Sequence, residues 1–284
     1  MSKNDQCSRI ATEIEKDFES TVLQGLIPGL LHSFANPLNG ILGRSRLLQE
    51  RVEKTIEAVN GHNGMGDTIL DGCNGIARDA DLIVRESETF FDLFGKVSGK
   101  FYRLSDTTVQ RVNLSDLIEA EVAFMEFYLD FKHNTDKKLL LNRDVPDVLG
   151  TYSCYSLSLF ALIRRSIDAM KGNDAGELVI VTDYDDSYVC IDIKDTGTPL
   201  SKARTKRLFE TLEKEDLAAC DLGKDRGLFN ALFLLKGYGG VFTIAREERF
   251  NVVTVRLPYR NNRIPATKRQ GAKQRHLPEI MTLL

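Results

Sequence analysis

Between Leu23 and Leu48 the apolar residues recur in steps of four and three: Leu23, Ile27, Leu30, Phe34, Leu38 and Ile41, then Ser45 as an interruption before Leu48. This is the seam of an amphipathic helix, close to the 3.5-residue repeat of a packed bundle. RVEKTIEAV keeps the pattern going towards Val59. Pro28 and Pro37 each lack a backbone donor and crowd the turn before them, so the helix is expected to bend there. The run GHNGMG at 61–66 is a breaker. A second seam follows at Ile69, Cys73, Ile76, Ala80, Ile83, Ser87, Phe90 and Phe94. Two long amphipathic helices joined by a glycine-rich turn form an antiparallel hairpin. One hairpin covers both stripes poorly. A homodimer, pairing two hairpins into a four-helix bundle, is therefore expected; the alternative is that the rest of the same chain covers the stripe.

The pattern changes after residue 100. Residues 101–108 lose periodicity and read as a linker. VQRVNL reads as a short strand, after which Asn113 caps a helix with Asp116 in its first turn. Residues 137–145 are a strand candidate and 156–171 a helix. The stretch ELVIVTDYDDSYVCIDIKD carries two strands, 177–182 and 188–193, with YDDS as their turn. A long irregular stretch precedes a helix at 227–236, the run GYGG, and strands at 241–245 and 252–257. The expected class is α+β: a long helical hairpin at 23–100, then an α/β sandwich at 109–260 with helices on one face of a mixed sheet. Residues 1–22 read as a frayed polar lead-in that becomes helix near 11–18. The tail 261–284 is basic (Lys268, Arg269, Lys273, Arg275) and is expected to be solvated, with a docking peptide as the other option.

Composition narrows the class without deciding the chemistry. The chain has 284 residues, 42% of them hydrophobic and 28% charged, enough for two compact soluble domains. A net charge of −3 gives no sign of nucleic-acid binding through bulk charge. Five cysteines (Cys7, Cys73, Cys154, Cys190, Cys220) are odd in number and widely spaced, which suits reduced thiols better than a disulfide framework or a zinc site. No run of apolar residues is long enough to insert in a membrane, and MSKNDQCSRI is not a signal peptide. The expected location is cytoplasmic. With no length before the seam helix for a sensor domain, any input is expected from a separate upstream sensor protein.

One side of the first seam helix carries candidate chemistry. At about 100° per residue, His32 lies roughly 200° from Leu30, on the outer side. Asn36 is about 40° from His32 and Asn39 about 20°, so both share its face. Gly25 and Gly43 lie there too, with Gly29 nearby, which leaves room for another protein to approach the imidazole. The plainer reading is a surface histidine on a bundle helix.

HSFANPLNGIL resembles the H-box of two-component histidine kinases, and the likeness continues in order. LIRRSIDAM (162–170) resembles the N-box helix, DTGTPL (195–200) the first glycine box and RLFE (207–210) the phenylalanine box. GLFNALFLLKGYGG (227–240) is similar to the second glycine box and its helix. The resemblance implies a dimeric phosphotransfer hairpin followed by a GHKL-type sandwich that binds ATP and Mg²⁺. It implies that His32 is phosphorylated and passes the group to an aspartate on a response-regulator receiver domain, a role that suits a neutral imidazole. Asn36 matches the amide that positions water for dephosphorylating the regulator. Ser33 stands where the family has the acid that takes the histidine proton.

For the nucleotide, the resemblance makes Asp195 the reader of the adenine amine and Gly197 the residue that lets the base approach. Pro199 replaces the second glycine of that box. Ala161 and Arg165 stand at the two N-box asparagines, of which the second holds Mg²⁺. Arginine has donors only and cannot ligate a cation, so Arg165 either contacts a phosphate directly or is ion-paired on the helix. Gly227 is kept at the helix start, where free N–H groups favour phosphate. Asp225 replaces the preceding glycine and would oppose phosphate, with Lys224 and Arg226 partly offsetting it. Residues 201–223 would form the mobile lid. Three readings follow: an autophosphorylating histidine kinase, an ATP-independent histidine phosphotransferase or regulator-binding scaffold, and a purely structural relative.

Overall fold

The computed structural model describes residues 3–60, 66–172, 176–214 and 223–260. The tail 261–284, residues 61–65 of the GHNGMG run and positions 215–222 lie outside the described residues. Helix α1 (Lys3–Thr21) passes through a π-helical turn (Val22–Leu26) into α2 (Ile27–Asn60). In that turn Ile27 N–H reaches five residues back to the Val22 carbonyl, immediately before Pro28. Pro28 has no N–H to continue the α ladder, so the wider turn sits where one backbone donor is missing.

The two predicted seams meet in an antiparallel hairpin. Helix α3 (Gly66–Ser105) returns along α2, with Phe34 edge-on to Phe90 at 5.5 Å between ring centroids and Gly40 facing Glu86. Near the far end Arg51 Nε lies 2.8 Å from the fully buried Asp79 carboxylate, which Arg44 approaches at 3.5 Å. A side chain at Gly75 would run into the Arg51 guanidinium, so that glycine makes the buried contact possible. A second stripe stays open on each helix. On α2 it includes Leu31, Leu42, Val52, Ile56 and Val59 and on α3 Leu70, Val84 and Phe91, and it takes in Leu38 and Phe94 of the predicted seams, which stay exposed. These positions also follow the fours-and-threes spacing of a bundle seam.

The span 101–108, expected as a linker, is helical as far as Ser105; only residues 106–108 separate α3 from β1 (Val109–Val112). Asn113 then caps α4 (Leu114–Met125), its side chain accepting from Ser115 N–H and Asp116 N–H. Short α5 (Leu129–Asn134) leads into β2 (Thr135–Leu141). β3 (Val148–Thr151) pairs antiparallel with β1 in a small separate sheet that the hydrophobic pattern does not reveal. After α6 (Tyr152–Met170) come β4 (Gly176–Tyr184) and β5 (Tyr188–Asp195), joined as a hairpin. Then follow α7 (Lys202–Lys214), α8 (Arg226–Gly237), β6 (Val241–Glu247) and β7 (Phe250–Pro258). The main sheet runs β2-β4-β5-β7-β6, parallel only between β2 and β4. Its strands alternate buried and half-buried positions, as a sheet covered mainly on one face must. The expected α+β order, a helical hairpin followed by a mixed-sheet sandwich, is what the chain forms.

The largest departure is at the start. The expected frayed lead-in is instead ordered where it is described: α1 is regular from Lys3 to Thr21 and forms a third layer over α8 and α6. Ile10, Ile14 and Phe18 are buried there, and Phe18 packs edge-on against Phe160 of α6 at 4.9 Å. Every residue of α8 from Leu228 to Leu235 is buried, because α6 packs along it and α1 covers it further. A helix with apolar residues on every side requires cover on every side.

Candidate functional site

His32 is exposed on α2, and Asn36 and Asn39 are exposed on the same side. The glycines expected to keep this face open divide into two groups. Gly29 is buried, with the Phe127 carbonyl oxygen 1.8 Å from where a Cβ would stand, and Gly25 lies under the Tyr128 ring. These two let α2 approach the α4–α5 connection of its own sandwich, so they do not receive another protein. Gly43, one turn beyond Asn39, has nothing within 4 Å and keeps its face open. Pro37 is buried inside the helix and leaves the Ser33 carbonyl, next to His32, without its helical donor.

The sandwich brings Asp195, Gly197 and Arg165 together. Asp195 ends β5 and is 1% exposed. Its Oδ1 accepts from Gly197 N–H at 2.9 Å and from Asn251 Nδ2 at 2.7 Å. The same Asn251 Nδ2 also donates to the Gly197 carbonyl at 2.8 Å, closing the turn. Asp195 Oδ2 has no hydrogen bond; Arg165 of α6 faces it at 3.7 Å. Both border a cavity of about 430 Å³ whose walls include Leu200, Phe209, Ile244 and Arg246. Gly197 is needed for a different approach from the one the motif implied: a Cβ there would lie 2.4 Å from the Ala169 backbone of α6. Asn251, on β7, belongs to no quoted motif, and only strand pairing brings it to Asp195.

Lys224, Asp225 and Gly227 sit at the amino end of α8. Asp225 is largely buried and held by Arg204 of α7 through two charged hydrogen bonds, of 2.7 Å from Nε and 2.6 Å from the terminal nitrogen. The stretch expected as a mobile lid therefore contains an ordered helix, α7, tied to this end of α8. Lys224 is exposed. Arg226, expected to offset Asp225, instead forms a forked ion pair with Glu13 of α1, at 2.9 Å to Oε2 and 3.1 Å to Oε1. Desolvation raises the Glu13 pKa, but Arg226 and then Arg9 outweigh it and hold the carboxyl below its usual range. Asp17 Oδ2 lies 3.7 Å from where a Cβ on Gly227 would stand. Desolvation pushes the Asp17 carboxyl above its usual range; Arg164 opposes the shift and Asp168 adds to it.

The residues present do not fit a magnesium triphosphate. Neither Ala161 nor Arg165 can ligate a cation, and the anion-favouring end of α8 already faces the carboxylates of Glu13, Asp17 and Asp225. The base end fits better, because an unpartnered carboxylate oxygen beside a partly apolar cavity suits an amine donor on a flat ring. Glu13, Asp17 and Arg204 were missed because nothing in their local sequence marks them. The run LFNALFLL of α8, apolar on every side but for Asn230, was the available signal that another element had to cover its outer side.

No family model matches this chain, and no curated protein matches it. Among solved structures it is similar to the nucleotide-free catalytic domain of histidine kinase ThkA, at 19% identity over 56% of this chain and 99% of that one, with a TM-score of 0.46. It is similar to the histidine kinase AdeS of Acinetobacter baumannii, at 16% identity over 77% of this chain and 96% of that one, TM-score 0.42. A third is ThkA in complex with the response regulator TrrA, at 14% identity over 88% of this chain and 66% of that one, TM-score 0.42.

Proposed function

We propose that this protein is a histidine phosphotransfer component of a two-component phosphorelay, in which His32 exchanges phosphoryl groups with the aspartate of a response-regulator receiver domain. The observation that carries the reading is a contrast between two positions. His32 stands exposed among amides on a helical hairpin, while the sandwich that would supply phosphate has an arginine, Arg165, facing the buried Asp195. In the exchange one ring nitrogen forms an N–P bond as the P–O bond of the aspartyl phosphate breaks. The aspartate leaves as its carboxylate, and the ring proton stays on the other nitrogen. A carboxylate after the histidine, absent here because the position is Ser33, is less needed when the donor is a reactive acyl phosphate rather than ATP.

The exposed second stripe on α2 and α3 supports a homodimer through a four-helix bundle. A second copy presents the same stripe, so a two-fold pairing buries both. A single folded species of one-chain mass by size exclusion with light scattering would remove that part of the proposal. The autokinase reading keeps one observation in its favour, the cavity beside Asp195. The two are separated by supplying either radiolabelled ATP with Mg²⁺ or a phosphorylated receiver domain. Acid-labile label from the receiver alone, lost in His32→Ala, supports the relay; label taken directly from ATP supports the kinase.

A further inference from the structure

The cavity beside Asp195 sets one buried acid among several cations. Asp195 is the only acidic side chain among the described residues that border it, and its Oδ2 has no hydrogen bond although the residue is shut away from solvent. A buried carboxylate oxygen in that state needs a donor. Arg165 faces it at 3.7 Å, outside hydrogen-bond range, so charge alone holds the two together. Lys202 of α7 and Arg246 of β6 border the same cavity, as does Lys206, which also faces Glu210 at 3.8 Å. Cations outnumber carboxylates here, so the cavity favours an anion.

The donor that satisfies Oδ2 must then be neutral, because an ammonium would add a further positive charge to the group. An amine on a flat aromatic ring meets that condition. It directs an N–H along the ring plane and leaves both ring faces apolar, and Leu200, Phe209 and Ile244 supply apolar wall. The volume of about 430 Å³ lies within the range of small-molecule sites. The anionic part has to be short. Two residues along α7 from Lys202, Arg204 is already held by Asp225 through two charged hydrogen bonds. A phosphate chain extended that way meets a carboxylate.

We propose that this cavity binds an aminopurine nucleoside monophosphate without any metal, as a receptor site and not as a source of phosphate. The ring amine donates to Asp195 Oδ2, while the phosphate draws Arg165 off that carboxylate and is met by Lys202 and Arg246. One ion pair without a hydrogen bond is exchanged for charge-assisted hydrogen bonds at both ends of the ligand. Only a molecule that brings a donor and an anion together can make the exchange. A monophosphate holds no phosphoanhydride bond, so binding here transfers nothing to His32. The site is independent of the relay reading, because it shares no residue with the His32 face.

The test is calorimetric titration of the full chain with AMP and with adenosine in EDTA, then with AMP and with ATP in Mg²⁺. AMP is expected to bind about tenfold or more tighter than adenosine, and Mg²⁺ to leave its affinity unchanged. Lys202→Gln/Arg246→Gln, at two exposed positions, should remove the advantage of AMP and leave adenosine binding as in wild type, a split that misfolding cannot produce. Arg165→Asn should tighten adenosine and bring the two ligands together. The proposal is overturned if AMP does not bind, if it binds no tighter than adenosine, or if its binding requires Mg²⁺. ATP with Mg²⁺ binding tighter than AMP overturns it as well, as does a Lys202→Gln/Arg246→Gln variant that keeps the AMP advantage or loses both ligands alike. Phosphoryl exchange between His32 and a phosphorylated receiver is measured separately, and its failure counts against the relay alone.

Discussion

Lys100 of α3 donates to the Glu121 carboxylate of α4 with both side chains shut away from solvent. The same ammonium lies 2.6 Å from Ser156 Oγ of α6 and faces the rings of Phe18, Phe124 and Phe160 at 5.5, 5.5 and 5.9 Å. One charge thus ties the last turns of the hairpin to α1, α4 and α6 together. Desolvation drives the Lys100 pKa down, and Glu121 opposes that shift.

Because the pair is buried, removing one partner should cost more than removing both. Lys100→Met is expected to lower stability by about 3–5 kcal/mol, as an unpaired buried carboxylate would. Lys100→Met/Glu121→Leu should recover most of that loss in urea unfolding. A single variant as stable as wild type would show that the pair is not buried in solution.

Two glycines on α2 should respond in opposite directions. At Gly29 a Cβ would collide with the Phe127 carbonyl, so Gly29→Ala should destabilise by about 1–3 kcal/mol through forced displacement of backbone. Gly43 meets nothing, and Gly43→Ala should stabilise by about 1 kcal/mol from helix propensity. Thermal unfolding of the two variants gives both signs.

Arg165→Asn removes the cation facing Asp195. Adenosine, which has an amine but no phosphate, should then raise the melting temperature of the variant more than that of wild type. Equal shifts in both proteins would mean that Arg165 does not guard the cavity. Combining Arg165→Asn with Ser33→Glu should raise labelling of His32 by ATP if those two positions are what weakens the kinase reaction.

Asn36→Ala addresses the face around His32. It should leave folding and His32 labelling by a phosphorylated receiver intact while slowing the loss of phosphate from that receiver. A change in melting temperature without any change in receiver turnover would assign Asn36 a structural role.

Acid should weaken the α1–α8 contact. The Glu13 carboxyl titrates below its unfolded value, so the unfolded chain binds the extra proton first. The stability from this group is complete above the usual carboxylate range and is lost as pH falls through the depressed value. Asp17, raised, works against it: the folded state takes up its proton first, so that group favours folding on the acid side. The net expectation for Glu13→Gln is a shallower fall of melting temperature in acid than in wild type.

The hydrophobic spacing determined the hairpin, because a helical seam is a local periodicity that each of the spans 23–48 and 69–94 repeats without help from the fold. The strands 177–182 and 188–193 and the Asn113 cap were legible for the same reason: alternation, turn residues and a capping amide act over a few positions. The exposure of His32, Asn36 and Asn39 followed from helix geometry alone. Tertiary structure decided the rest. It made Lys3–Thr21 a packed helix, since the value of Ile10, Ile14 and Phe18 depends on a largely apolar α8 more than two hundred residues away. It set Asn251 on Asp195, Arg204 on Asp225 and Arg226 on Glu13, because charge pairing follows distance in space and leaves no periodic trace along a chain. The quoted motifs supply Arg165, Asp195, Leu200 and Phe209 to the cavity, and Ile244, Arg246 and Asn251 reach it only through strand pairing.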